Sequence, residues 1–225
     1  MNFRDMVPAG TWQELIERGR QMYYRRGAVL LRQGDHSESV IALSEGTVKV
    51  TQVTEAGAAL TLTLRGPGEV LGEMGVILDR PRSATLVAVS PCTGSVIAAG
   101  VFLECLNQLD LVPAVYRLAV DRMQHTEQLR MDLISLPPAA RIARVVLHLA
   151  LEVGRPASDG MRVDLGMPRE ELAAMAAVGR SSAVPLLRRL HEEGVLELNR
   201  ARLTVRDLPR LEEAACSTGP SEREM

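Results

Sequence analysis

Aromatic side chains are scarce in this chain: one Trp, three Tyr and two Phe make up 3% of its 225 residues. Hydrophobic residues still total 46%, so a core has to be built from Val, Leu, Ile, Ala and Met. Lysine is nearly absent. Lys49 is the only one and every other basic side chain is arginine, which suits phosphate and guanine edges. Cys92, Cys105 and Cys216 are odd in number, widely spaced and form no CxxC pair. They do not cluster with His36, His125, His148 or His191, so a disulfide framework, a metal centre and an iron–sulfur cluster are disfavoured, and a reducing cytoplasm is the expected location. No run approaches the ~18 apolar residues of a membrane helix, so no membrane partner is expected. Asp5, Glu14 and Glu17 interrupt the N-terminus where a signal peptide would need an apolar stretch. Charge of one sign is also missing: 26 basic against 28 acidic residues leave a net −2, so any nucleic-acid surface is local. A Walker A loop and a GxGxxG run are absent. So are a Ser/His/Asp grouping, a paired-carboxylate motif and metal-ligand spacing, and no enzyme is expected.

What is present changes character along the chain. Residues 11–22 read as a short helix with Trp12, Leu15 and Ile16 on one side. From Ala28 to Ala98 short β-like runs follow, at 28–31, 40–43, 47–53, 60–64, 85–89 and 95–98. Glycine and proline turns separate them, and the strict alternation of Leu60 to Leu64 predicts a strand with one buried face. Many short strands at this spacing predict a small antiparallel barrel or sandwich. Near Gly100 the period becomes helical, and 110–135 reads as one long helix with Pro113 in its first turn. Val112, Val115, Ala119, Met123, Thr126, Arg130 and Leu133 recur at three- and four-residue steps. This narrow seam predicts a self-pairing helix; packing on its own domain is the plainer alternative. Leu136-Pro137-Pro138 must end that helix and is the hinge candidate.

Beyond it come a helix over 139–152, a loop over 154–160 and a short strand over 161–165. Helices over 168–176 and 180–193 follow, joined by a turn containing Gly179, then a hairpin of 195–198 and 203–205. Helix, turn, helix and hairpin is the winged helix-turn-helix plan. The polar end of the chain reads as a disordered tail. The expected fold class is therefore α+β, with a strand-rich domain over 1–109, a long helix over 110–136, a winged helix-turn-helix over 137–209 and a tail over 210–225.

The most informative segment is Gly72-Glu73-Met74-Gly75, six further residues, then Arg82-Ser83-Ala84-Thr85. Glycines let backbone N–H groups approach an anion, and an arginine supplies a forked donor for phosphate oxygens. Ser83 adds a hydroxyl. Glu73, an acceptor when ionised, suits a sugar hydroxyl and not a phosphate. Such a run can also be an ordinary glycine turn, but its strand-rich setting favours a site for a nucleotide with one compact phosphate.

The cassette resembles the phosphate-binding cassette of cyclic-nucleotide-binding domains. Arg32-Gln33-Gly34-Asp35, the run from Ser44 to Val50 and the run from Gly66 to Leu71 resemble the same domain's strand and turn signatures. With the long helix and the helix-turn-helix behind it, the chain resembles the CRP/FNR family of bacterial regulators over about residues 18–208. The resemblance implies an N-terminal β-roll that binds a cyclic nucleotide, a long dimerisation helix and a DNA-binding C-terminal domain. It implies that Glu73 bonds the ribose, that Gly72 and Met74 frame the pocket, and that Arg82 and Ser83 hold the cyclic phosphate. Thr126 matches the position that bonds the purine of cyclic AMP. Glu127 stands where the family usually has a small polar residue reaching from the partner subunit, which leaves cyclic GMP open beside cyclic AMP.

For DNA, Arg169 resembles a phosphate contact and Arg180 a guanine reader, with Ser181 and Ser182 beside it; Arg188, Arg200 and Arg202 are further candidates. Two departures stand out: Ser181 where the family often has Glu, and Pro185 where it often has Arg. Pro185 inside the expected helix predicts a later helix start or a kink. The implied function is a homodimeric, cyclic-nucleotide-responsive transcription regulator that binds double-stranded DNA, with RNA polymerase or another regulator as a further partner. The alternative is a sensor acting through a protein partner or through weak, partner-assisted DNA binding.

Overall fold

The computed structural model describes residues 2–199 and 202–217. The chain forms two compact units, Met1–Met123 and Gln124–Met225.

In the first unit a 3-10 turn (Phe3–Met6) and α1 (Ala9–Glu17) precede eight strands. These are β1 (Arg20–Tyr24), β2 (Val29–Leu31), β3 (Ser39–Glu45), β4 (Val48–Val53), β5 (Ala59–Arg65), β6 (Val70–Leu71), β7 (Thr85–Ala88) and β8 (Cys92–Ala98). They pair antiparallel in two four-stranded sheets, ordered β1-β8-β3-β6 and β2-β7-β4-β5. Between β6 and β7 lies α2 (Glu73–Ile77), and after β8 come α3 (Ala99–Gln108) and α4 (Val112–Ser135). Successive strand side chains point to opposite faces. Accordingly β3 sends Val40 and Ala42 into a core shared with Phe3, Leu15 and Phe102, and Ile41 and Leu43 into a second core with Val48 and Leu86. The opening of α4 adds Ala114 and Leu118, one helical turn apart, to the first core, next to Leu111 just before it.

Three sequence expectations change here. The early helix ends at Glu17, and residues 20–24 are a strand paired with β8. Of the Gly66–Leu71 run, expected to hold a strand and turn signature, only Val70–Leu71 is strand (β6). Leu60 and Leu62 do not share the buried face of Leu64: they are 45% and 44% exposed, because β5 is an edge strand whose far end runs with β4 to a hairpin tip away from the core.

In the second unit the rest of α4 leads to α5 (Pro138–Val153), β9 (Arg155–Ala157), β10 (Gly160–Asp164), α6 (Arg169–Met175), α7 (Arg180–Glu192), β11 (Leu196–Leu198), β12 (Arg202–Val205) and α8 (Leu208–Cys216). The strands form one antiparallel sheet ordered β11-β12-β10-β9. The stretch 154–160 is therefore not simply a loop, since residues 155–157 pair with β10. Pro137 caps α5 and Pro138 is its first residue, where a missing N–H costs little. Across this double proline α4 and α5 are tied together: Asp132, 5% exposed, pairs with Arg144 at 3.4 Å, and His125 stacks on His148 at 3.9 Å between ring centroids. The division between the units falls inside α4, not at the prolines.

The expected tail begins too early. Residues 208–216 are helical, capped by the Asp207 side chain accepting from the Arg210 backbone N–H, and Leu211 and Ala215 are fully buried. Their four-residue spacing is hidden in sequence by acidic neighbours. The rest of the expected tail, 218–225, lies outside the described residues.

Candidate functional site

The cassette is built where β6 turns into α2. Gly72 caps this short helix with φ 83°, a left-handed conformation that glycine adopts without penalty. A Cβ at Gly72 would lie 2.5 Å from Arg82 Nη1 and 2.8 Å from Leu31. The turn is therefore closed around the Arg82 side chain, whose Nη1 donates to the Gly72 carbonyl at 2.7 Å and whose Nη2 donates to the Ser39 carbonyl.

Arg82 is the residue expected to hold the cyclic phosphate. It is buried, 6% exposed, folded back onto these two carbonyls in part-buried hydrogen bonds. Burial holds its guanidinium below the ordinary arginine value, opposed by the nearby Glu73 and Asp35 carboxylates. Arg82 also lines a cavity of about 300 Å³ with Leu31, Asp35, His36, Glu38 and Ser39. Of the expected cassette residues only Arg82 lines it; Gly72, Glu73, the half-exposed Met74 and the exposed Ser83 do not, and the Ser83 carbonyl accepts from Gln52 Nε2 at 3.3 Å.

Glu73 is buried at 4% exposure, and its carboxylate accepts from Arg122 Nη1. The same guanidinium donates through Nη2 to Glu69 at 2.9 Å, and Arg65 approaches Glu69 at 3.8 Å. Burial lowers the affinity of Arg122 for its proton, but the Glu73 and Glu69 carboxylates outweigh that and raise its value. Glu69 and Arg122 were not singled out from sequence. Two signals were available: a second acid four residues before Glu73, and an arginine one helical turn before Thr126. Thr126 and Glu127 are exposed on the part of α4 that belongs to the second unit.

The second candidate surface is the helix-turn-helix. Pro168 sits at the N-cap of α6, just before its first turn, and Arg169 opens the helix, donating to the Leu198 carbonyl of β11 at 3.4 Å. The turn to α7 does not depend on Gly179, whose φ is −61°. Ala177 takes the left-handed conformation at φ 48°. Its N–H bonds the Ala174 carbonyl and that of Val178 the Ala173 carbonyl, at 3.0 Å each. This is a Schellman closure with alanine in the position glycine usually fills.

Arg180 is the first residue of α7 and pairs with Glu170 at 3.0 Å. Ser181 and Ser182 follow, both exposed. The helix neither starts late nor stops at Pro185; it runs continuously from 180 to 192. Arg188 Nε donates to Glu192 at 2.9 Å and Arg202 Nε to Asp164 at 2.9 Å. Arg200 lies outside the described residues. Thus Arg180, Arg188 and Arg202 each meet a carboxylate of their own unit.

Two family models match. Residues 21–109 match the cyclic nucleotide-binding domain and residues 140–214 the Crp-like helix-turn-helix domain. The chain is 30% identical over 193 residues to the Cyclic AMP receptor protein of Thermus thermophilus, spanning 85% of this chain and 86% of that protein. It is 25% identical over 187 residues to the Global nitrogen regulator of Synechocystis, spanning 81% and 82%. The crystal structure of a CRP-family transcriptional regulator from Thermus thermophilus superposes with a TM-score of 0.70 at 24% identity, covering 88% of this chain and 97% of that one.

Proposed function

The chain belongs to the CRP/FNR family of DNA-binding transcription regulators, a non-enzymatic family, and from there we propose that it is a homodimer whose DNA affinity is set by a cyclic nucleotide, cyclic AMP in the first place. The observation that carries the nucleotide reading is the pairing of Arg82 with the Gly72 carbonyl beside a buried Glu73. An arginine has five N–H donors. Two are used on the Gly72 and Ser39 carbonyls, leaving three for a cyclic phosphate, with the exposed Ser83 hydroxyl beside it. A carboxylate accepts several bonds, so Glu73 can take a ribose hydroxyl while held by Arg122. Gly72, whose carbonyl Arg82 holds, and the half-exposed Met74 beside it are assigned to the rim of this site, outside the cavity that Arg82 lines. Base preference is assigned to Thr126 and Glu127, the latter able to accept from an adenine amino group or from the guanine edge.

On DNA, Arg180 at the start of α7 is assigned to a guanine, the commonest direct-readout pair. Arg169, Ser181, Ser182, Arg188, Arg200 and Arg202 are assigned to phosphates and neighbouring base edges. Homodimerisation is assigned to α4, six of whose seven seam residues (all but Val115) are exposed. The carboxylates on Arg180, Arg188 and Arg202 favour a second reading of the output: weak DNA binding strengthened by a protein partner such as RNA polymerase or another regulator.

The test is a mobility-shift titration on fragments of the source genome, without nucleotide and with cyclic AMP or cyclic GMP. Cyclic AMP should tighten binding to a subset of fragments at least tenfold. Equal binding in all three conditions would remove nucleotide control. A shift that requires added polymerase would establish the partner-assisted reading.

A further inference from the structure

We infer that α7 senses the 5-methyl groups of thymine in duplex DNA, with Pro185 as the contact residue and Val184 extending the same apolar surface. The inference rests on the DNA-binding role of the helix-turn-helix and concerns which chemical group on the base is sensed.

The orientation of α7 follows from its buried side. Ala183, Leu187 and Leu190 are 2%, 2% and 8% exposed and define the face packed into the domain. At 100° per residue, Pro185 lies almost opposite the mean of those three, at the centre of the outward face. Ser181 and Arg188, four residues before and three after, lie in the same stripe, and all three are exposed. Val184, 48% exposed, lies between Pro185 and Arg180 around the helix.

The polar side chains flanking this centre are short or already engaged. Ser181 reaches no farther than a hydroxyl. Arg188 is drawn along the helix to Glu192 at 2.9 Å and Arg180 toward Glu170 at 3.0 Å. What the centre offers a groove is a saturated ring with neither donor nor acceptor. The major groove presents one apolar group that distinguishes base pairs, the thymine methyl.

The position also breaks a local rule without an internal gain. Proline inside a helix removes a backbone bond, here the donor that would have met the Ser181 carbonyl, and Pro185 points away from every buried residue of its helix. Local rules are broken where a functional surface requires it.

The test uses the full chain with cyclic AMP. A duplex is selected from a random pool by repeated binding, and each thymine is then replaced singly by deoxyuridine, which keeps base pairing and removes only the methyl. One or two thymines per half-site should each lose about fourfold in affinity, the worth of one buried apolar carbon. Pro185→Ser should bind the thymine and deoxyuridine duplexes equally while retaining the guanine preference assigned to Arg180. Loss of guanine preference in Arg180→Ala, with methyl sensitivity intact, separates the two contacts. No thymine with an effect above twofold, or an unchanged thymine preference in Pro185→Ser, overturns the inference while leaving DNA binding in place. Failure to bind any duplex at low salt would overturn the DNA-reading role itself.

Discussion

Arg82 serves the fold before it meets any ligand. Its guanidinium is the donor for the part-buried Gly72 and Ser39 carbonyls, and each such hydrogen bond contributes about 1 kcal/mol. Arg82→Ala should therefore lower the urea midpoint as well as cyclic AMP affinity, with an unchanged m-value. Ser83→Ala, which removes an exposed hydroxyl, should weaken cyclic AMP binding in calorimetry while leaving the midpoint within error of the parent. If Arg82→Ala unfolds at the parent's midpoint, the carbonyls have other partners and the structural part of its role is wrong. Glu73 carries the same double duty. With Glu69 it places two negative charges in a buried setting, which only a shared cation makes tolerable. Arg122 is that cation, and the Glu73 carboxylate proposed for the ribose is thereby held in position by a residue outside the cassette.

At the scale of the element, the turn between α6 and α7 is where local chemistry and fold disagree most. Ala177 holds a left-handed backbone that costs a non-glycine residue about 1–2 kcal/mol, while glycine gives back about 0.5–1 kcal/mol through its unfolded-state entropy. Ala177→Gly should stabilise the second unit by roughly 0.5–1 kcal/mol, seen as a rise in thermal midpoint of a few degrees with unchanged DNA affinity. A lower midpoint would mean that the alanine methyl contributes packing that outweighs the strain. The sequence drew attention to Gly179 because glycine is the usual marker of such turns, and nothing local to Ala176-Ala177-Val178 announces a Schellman closure. The same limit applies elsewhere. The strands of 40–53 and 85–98 were legible because alternation and glycine turns are local signals. β1 was not, since Arg20–Tyr24 has little alternation and is a strand by virtue of pairing with β8. α8 was missed because Glu212 and Glu213 conceal a buried Leu211 and Ala215. The cassette glycine, glutamate and arginine were legible from spacing. That Arg82 faces inward and Glu73 is held by Arg122 depends on contacts 10 to 53 residues apart along the chain, which no local pattern encodes.

At the scale of the whole molecule, no helix among the described residues is long and apolar enough to cross a membrane, yet α4 exposes much apolar surface. Val112 is 53% exposed, Met123 55% and Leu133 43%, all at seam positions, and Tyr116, Met131 and Ile134 lie outside it at 71%, 57% and 84%. Exposed apolar side chains in contiguous array mark interaction surfaces, and a seam repeating along one helix is self-complementary under a two-fold axis. Met123 lies near the middle of that seam, where a second copy would bury it most completely. Met123→Glu puts two carboxylates at the pairing line of such a dimer, where like charges repel and lose their hydration, but leaves an isolated chain's cores untouched because the side chain is already solvent-facing. Sedimentation equilibrium at micromolar concentration should find the parent dimeric and Met123→Glu monomeric, with superimposable far-ultraviolet circular dichroism. The monomer should then bind a single half-site and lose the extra affinity that two linked half-sites confer through effective concentration. A variant that remains dimeric with an unchanged association constant would place the interface elsewhere than the α4 seam.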